Sequence, residues 1–374
     1  MPYNGDFIKR HAEAVSIYED VRVIYVVRDL NGDVTKDVFI EELVKGGLTE
    51  KIVYYYIPST GFSIVDKYVS EKKYRKYFKN AVTEYLKKSG IPSLAHVHVG
   101  MKAGMIARWL KKKHSVPYII SEHWSGFLQE ATEKIDEQPF YIRSLWKKVV
   151  AGASAFSAVS NYLAESIKKY FSLHKIKIIP NVVDTSIFYP LPTNQTASHF
   201  IHISSLSELK NPTNIFKAFA IVKKKYPQAI LQVVGPVHKQ LKELTIALQL
   251  EKNISFYEEM SQQQLAEFVR QSLSLVLYSS YETFGCVIIE ANACGIPVIV
   301  SDIPVFHETV EDGVNGFFAK KDDTQALAER MIEMIINQSV FNRDTIAKKT
   351  ASLYNYETVG KQFSNWYAEI LSKG

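Results

Sequence analysis

Short apolar runs rich in Val, Ile, Tyr and Phe alternate along this chain with longer segments whose apolar residues recur every three or four positions. Runs of the first kind predict strands and segments of the second kind predict helices. In the first half the predicted strands are 21–27, 51–57, 95–99, 118–121 and 155–159, with helical patterns between them such as 6–18 and 71–88. The second half repeats the design. Strands are predicted at 200–203, 230–234, 254–256, 273–278 and 297–300, and helices such as 211–226, 261–272 and 284–294 alternate with them. Alternation of this kind places helices over parallel sheets.

The repetition is at the scale of whole domains. A strand runs into Pro180 within Ile178-Ile179-Pro180-Asn181-Val182-Val183-Asp184, and Pro190 and Pro192 follow in a polar stretch, which predicts a hinge. The fold class is therefore α/β, with two Rossmann-like doubly wound domains, 1–183 and 184–355, facing a cleft. Such domains bind ligands outside the carboxyl ends of their strands. One strand is missing from the pattern: the chain opens on an Asn4-Gly5 turn that leads straight into a helix. A doubly wound domain begins with a strand before such a turn, so that strand is expected upstream of Met1.

Length and composition agree. The 374 residues exceed one ordinary core and suit two domains. Apolar residues at 47% and charged residues at 22% fit a globular protein. No apolar run reaches the roughly 18 residues of a membrane span, and the first residues lack a secretory pattern. Two cysteines, Cys286 and Cys294, cannot make a metal-ligand set and point to a reducing, cytoplasmic compartment. The charge is uneven, with 28 Lys/Arg against 20 Asp/Glu in residues 1–184 and 17 against 19 beyond. Much of the surplus lies in Lys72-Lys73-Tyr74-Arg75-Lys76-Tyr77-Phe78-Lys79, where Tyr74, Tyr77, Phe78, Val82 and Tyr85 recur at helical spacing and face a core. The lysines form either a solvated face or a surface for an anionic acceptor or an acidic lipid leaflet, giving peripheral contact with the inner face of a membrane. No nucleic-acid module accompanies them.

The most informative stretch runs from Ser279 to Pro297. It reads as strand end, loop, helix, glycine stop and next strand, with Gly295 past the helix end and Pro297 unable to continue it. Gly285 opens the helix, where bare backbone N–H groups and the helix dipole attract phosphate. Glu282 precedes the helix and Glu290 lies on it. Eight residues at helical rise span roughly 12 Å, about the reach from a donor sugar to a ribose with a diphosphate between. Carboxylates accept hydrogen bonds from the hydroxyl pairs of both. An acid in so apolar a helix also needs a partner of some kind.

This stretch resembles the Glu–seven residues–Glu motif of retaining glycosyltransferases of the GT-B fold, in particular family 4. Further segments extend the resemblance over nearly the whole chain. Glu122-His123-Trp124-Ser125 is similar to a first-domain segment of that family, and Ile179 to Thr185, with Phe188, to its interdomain signature. Leu206 to Asn211 resembles its first second-domain loop, and Asp312-Gly313-Val314-Asn315-Gly316-Phe317 its turn after the donor site. The closing helix from Tyr356 resembles the one that crosses back onto the first domain, so 356–374 completes that domain.

The resemblance implies roles. Glu290 binds the ribose hydroxyls and Glu282 contacts the donor sugar near the reacting carbon. Backbone N–H groups around Phe284, Gly285 and Cys286 hold phosphate, and Lys210 neutralises the diphosphate as charge builds on it. His123 sits near the transferred sugar, and Gly5 approaches the acceptor or diphosphate. The implied activity moves a sugar with retention from a nucleotide-sugar to a glycan or lipid-linked acceptor, as in surface polysaccharide or glycolipid assembly. No cofactor is implied. No Asp-x-Asp motif appears, in keeping with a reaction that uses no metal. Two positions depart from the family pattern. Ser205 stands where an Arg is common, and Pro304-Val305 stand where a Gly-Gly turn is common. These departures keep a non-catalytic partner subunit in view as an alternative, and the shared fold keeps a nucleotide-sugar epimerase in view as another.

Overall fold

The computed structural model describes residues 6–29, 37–58, 61–191 and 199–372. Gly5 and the Asn4-Gly5 turn lie outside them. The first half runs α1 (Asp6–Val15), β1 (Val21–Arg28), β2 (Val38–Lys45), β3 (Leu48–Tyr55), α2 (Ser63–Ser89), β4 (Ala95–His98), α3 (Gly100–His114), β5 (Tyr118–Glu122), α4 (Phe140–Gly152), β6 (Ala155–Ala158), α5 (Asn161–Lys168) and β7 (Lys177–Ile178). The second half continues with β8 (His199–Ile203), α6 (Pro212–Lys225), β9 (Ile230–Val234), α7 (Lys239–Ala247), β10 (Ile254–Tyr257), α8 (Gln262–Arg270), β11 (Ser274–Leu277), α9 (Cys286–Ala293), β12 (Val298–Ser301), β13 (Gly316–Ala319), α10 (Thr324–Ile336), α11 (Arg343–Tyr354) and α12 (Tyr356–Leu371).

The second-half sheet is parallel throughout and has the order β10-β9-β8-β11-β12-β13. Counted within the half, that is 3-2-1-4-5-6, the Rossmann order, whose switch point lies between β8 and β11. Both faces are covered by helices, so β11 (Ser-Leu-Val-Leu) and β12 (Val-Ile-Val-Ser) are buried at every position. Burial on both faces explains why these strands read as continuous apolar runs without alternation.

The first half departs from a single doubly wound sheet. β4-β5-β6-β7 form one parallel sheet, while β1-β3-β2 form another, with β2 antiparallel to β3. β2 falls outside the predicted strands. Its sequence, Val-Phe-Ile-Glu-Glu-Leu-Val-Lys, carries apolar side chains that stay largely exposed, so it lacks the two-sided burial that marks the others. The connecting Gly46 has φ +58, as a tight hairpin requires. Gly47 lies so close to α1 that an added Cβ would meet the Ser16 carbonyl at 2.8 Å. β1 and β4 are edge strands of their respective sheets.

α2 begins eight residues earlier than predicted and buries Tyr74, Phe78 and Val82 as expected. Several of its cations are engaged: Lys73 donates to the Tyr56 carbonyl, Arg75 pairs with Glu71, and Lys79 lies over the Trp109 ring. α12 returns to the first half. Val359, Phe363 and Trp366 pack with Ala14, Val15 and Ile119, and Gly360 lets the two helices touch, since a Cβ there would sit 2.1 Å from the Ala14 carbonyl.

Candidate active site

At the switch point the loops after β8 and β11 diverge, and each delivers one charged group. Internal bonds shape the first loop. His202 Nδ1 contacts the Val276 carbonyl of β11 at 2.8 Å, its Nε2 contacts Ser204 Oγ at 2.8 Å, and Leu206 N–H donates to that same Oγ at 3.0 Å. The chain then turns through Glu208–Lys210 and enters α6 at Pro212, a residue suited to a first helical turn. Ser280 N–H donates to the Leu209 carbonyl at 2.9 Å, joining the two loops. As a result Lys210 and Glu282 form a direct ion pair, and Ser279 Oγ donates to Glu282 at 3.0 Å. Ser205 is exposed and bonds Ser207 Oγ.

α9 starts at Cys286, so residues 282–285 are not helical and helical rise does not set the Glu282–Glu290 separation. Gly285 caps it with φ +88, and Phe306 packs so near that a Cβ would meet Cε1 at 2.9 Å. A side chain here is excluded twice, by conformation and by space. The N–H groups of the first turn have no partner inside a helix, and the dipole adds attraction for an anion. Phe284 is buried against Tyr354 and offers only its backbone. Burial pushes the Cys286 and Cys294 thiols up to about 12, which favours the neutral thiol in both.

Glu290 already has a partner in the chain. Arg10 of α1 reaches across from the first half and pairs with it at 2.8 Å, also pairing with Asp6 at 2.6 Å and donating to the Val182 carbonyl at 3.2 Å. The partner that an acid in an apolar helix requires is thus a protein cation in this state. Burial opposes charge on Arg10, but Glu290 and Asp6 outweigh it and raise its pKa. Arg10 was not singled out from the sequence, although a signal exists: Phe7, Arg10, His11 and Ala14 share one helical face, so the cation sits on an apolar stripe.

His123 enters at the end of β5. Preceding it, Glu122 is fully buried and accepts from the backbone N–H groups of Gly100, His123 and Trp124 at 3.0, 2.9 and 2.9 Å. Glu122 thereby fixes the loop that presents His123. Burial holds His123 well below the usual histidine range, so it is neutral. Phe7 lies 4.7 Å from its ring. A cavity of about 240 Å³ is lined by His123, Trp124 and Ser125 from one half and by Leu209, Tyr281, Glu282 and Thr283 from the other. His123 and Glu282 therefore share one space. A larger hollow of about 550 Å³ near Lys223, Gln249 and Glu251 contains none of the predicted residues.

Other bonds close the cleft. Ser160 Oγ donates to the Thr283 carbonyl at 2.8 Å, and Asn181 Nδ2 donates to Cys286 Sγ at 3.2 Å. Glu308 accepts from the N–H groups of Asn161 and Tyr162 at 2.7 Å each, capping α5 from the opposite half. The Pro304–Glu308 turn, which departs from the family pattern, is thus a strap between halves, with Val305 and Phe306 buried beneath it.

Two nucleotide-fold halves with charged loops at a shared cleft define the GT-B class of glycosyltransferase. Residues 183–352 match the family described as glycosyl transferases group 1, and residues 58–187 match Glycosyltransferase Family 4. The chain belongs to family 4 of the glycosyltransferases. Among its relatives, the O-antigen chain mannosyltransferase RfbU of Salmonella typhimurium is 28% identical over 62% of this chain and 64% of its own length. The N-acetyl-alpha-D-glucosaminyl L-malate synthase of Bacillus anthracis is 25% identical over 58% and 59%. The chain thus spans less than two thirds of either relative. A sucrose-phosphate synthase from Thermosynechococcus elongatus has the same fold, with a TM-score of 0.80 at 18% identity over 99% of this chain and 94% of that one. Anabaena HepE, solved in complex with UDP and glucose, gives 0.68 at 17% identity over 85% and 86%.

Proposed function

We propose that the protein transfers a sugar from a nucleotide-sugar donor to a glycan or lipid-linked acceptor, retaining anomeric configuration and using no metal or other cofactor. One observation carries the reading: Lys210 pairs with Glu282 just ahead of the start of α9 at the switch point, and Glu282 lines one cavity with His123 of the opposite half. In this reading the diphosphate lies on the α9 N-terminus, where the N–H groups of Gly285 and Cys286 and the Lys210 ammonium take up the charge that develops on the leaving group. The ribose hydroxyls replace Arg10 on Glu290. Glu282 and the neutral His123 accept and donate hydrogen bonds to the transferred sugar. Preorganised cations and dipoles supply what a metal supplies elsewhere.

The relatives support the donor class, since those named above include a mannosyltransferase and HepE was solved with UDP and glucose. A surface-polysaccharide or glycolipid role fits the O-antigen enzyme among them. The acceptor is assigned to the cytoplasmic face of a membrane, reached peripherally. No helix among the described residues is long and apolar enough to cross a membrane, and Lys72, Lys76 and Lys79 of α2 remain exposed. Assays with UDP-, GDP- and ADP-sugars as donors test the proposal. Lys210→Ala should lower the turnover rate about 10²–10³-fold. Full turnover in both Lys210→Ala and Glu282→Ala would refute the site.

A further inference from the structure

Four histidines stack between α1, β4 and β5. The ring centroids of His96 and His98 lie 4.2 Å apart, those of His98 and His123 5.5 Å, and those of His11 with His98 and His123 5.5 and 5.4 Å. They do not all have the same standing. His96 is satisfied at both nitrogens, by the Tyr367 hydroxyl at 2.6 Å and Ser121 Oγ at 2.7 Å. It is a core histidine held by hydrogen bonds. The other three are different. His98 Nδ1 faces His123 Nε2 at 3.3 Å, while His11 Nδ1 and His123 Nδ1 are buried without a hydrogen-bond partner. Buried unpaired polar atoms are uncommon and call for a partner.

We propose that His11, His98 and His123 bind a divalent transition-metal ion of the zinc type, and that its binding withdraws His123 from the cleft and slows transfer. This goes beyond the proposed reaction, which needs no ion. One nitrogen from each of the three rings lies within 4.8 Å of the others. The 3.3 Å between His98 Nδ1 and His123 Nε2 is about the distance that two nitrogens take on one tetrahedral zinc with bonds of roughly 2.0–2.1 Å. His11 Nε2 lies 3.0 Å from the Pro180 carbonyl. A carbonyl accepts only from N–H, so the proton is fixed on Nε2 and the Nδ1 lone pair is left free. That is the tautomer and the outer-shell contact that metal-bound histidines use. Three neutral imidazoles and no thiolate match the donor set of an open zinc site with a fourth position for water. On binding, the His98–His123 hydrogen bond gives way to two bonds to the ion, with each ring proton on the opposite nitrogen. No proton is released and no electron moves.

The test uses full-length, chelator-stripped protein without donor or acceptor, so that its outcome is independent of the proposed transfer. Zn²⁺ is titrated by calorimetry and Co²⁺ by visible absorption. The expected result is one ion per chain, with the intense visible bands of four-coordinate Co²⁺. H11Q and H98Q should each weaken binding by more than the roughly 10–100-fold that loss of an outer-shell contact costs. H174Q, at an exposed histidine, should bind as the wild type does. In transfer assays Zn²⁺ should inhibit the wild type reversibly. Absence of stoichiometric binding, the weak spectrum of six-coordinate Co²⁺, or undiminished binding in H98Q would overturn the proposal. If the histidine variants fail to fold, the wild-type Co²⁺ spectrum decides alone.

Discussion

The two halves share an architecture but hold their site residues differently. In the second half, Lys210, Glu282 and Gly285 lie on two loops and Glu290 lies within the helix that follows, beside an unbroken parallel sheet. The first half is built from two sheets, and its contributions come from separated places: Arg10 on α1, Glu122 at the end of β5 and His123 just after it, Ser160 at the cap of α5. The second half's share of the candidate site is thus a local construction, whereas the facing share depends on tertiary packing. Perturbing that packing should disturb the first half before the second.

Acid should separate them most strongly. Burial holds His11 down to about 4 and His96 to about 3 in the first half, and holds His98 and His123 well below the usual histidine range; His202, in the second, is held to about 4. Each is favoured neutral in the fold, so below the unfolded value of about 6.5 the unfolded chain binds more protons. Their stabilisation is complete above that pH and is lost as pH falls toward 4, by several kcal/mol in the first half on an order-of-magnitude view. Trp109, Trp124 and Trp146 lie in the first half, and Trp366 packs on it. With chelator present, the tryptophan fluorescence transition should therefore precede the loss of far-UV circular dichroism. Coincident transitions would show that the halves are equally acid-sensitive.

A smaller effect probes the link between them. Arg10→Met leaves Glu290 and Asp6 without their cation, and both members of the Arg10–Glu290 pair are over nine-tenths buried at the side chain. Loss of one partner from such a pair costs about 3–5 kcal/mol. Adding Glu290→Gln should recover part of the loss in thermal or denaturant melts. Additive losses in the double variant would mean that the two groups do not act as a pair.

Much of this was legible in the sequence, and unequally so. Glu282, Gly285 and Glu290 are close in the chain, and the geometry they need is set by a strand end and a glycine, so local chemistry revealed them. The parallel strands were legible because burial on both faces leaves continuous apolar runs. β2 was not, because its exposed apolar side chains follow no one-sided pattern. The Arg10–Glu290 pair spans 280 positions of chain, and no spacing rule reaches that far. The Pro304-Val305 turn could be seen only as a departure from a family pattern, and the role of Glu308 as a cap on α5 emerges from packing. Helical rise does not set the separation of the two glutamates, because Glu282 precedes the helix by a non-helical loop.

The central claim is that Glu290 and the α9 start receive a nucleotide-sugar once Arg10 yields its place. Calorimetry of the preferred nucleotide-sugar, found by a thermal-shift screen of UDP-, GDP- and ADP-sugars, tests it most directly. At 100 times its dissociation constant, a ligand that binds only the fold adds about 2.7 kcal/mol, enough to identify it. The wild type should bind one molecule per chain, and Glu290→Ala should weaken binding at least about tenfold, or roughly 1.4 kcal/mol. Equal affinity in wild type and Glu290→Ala, or no binding by either, would contradict the account.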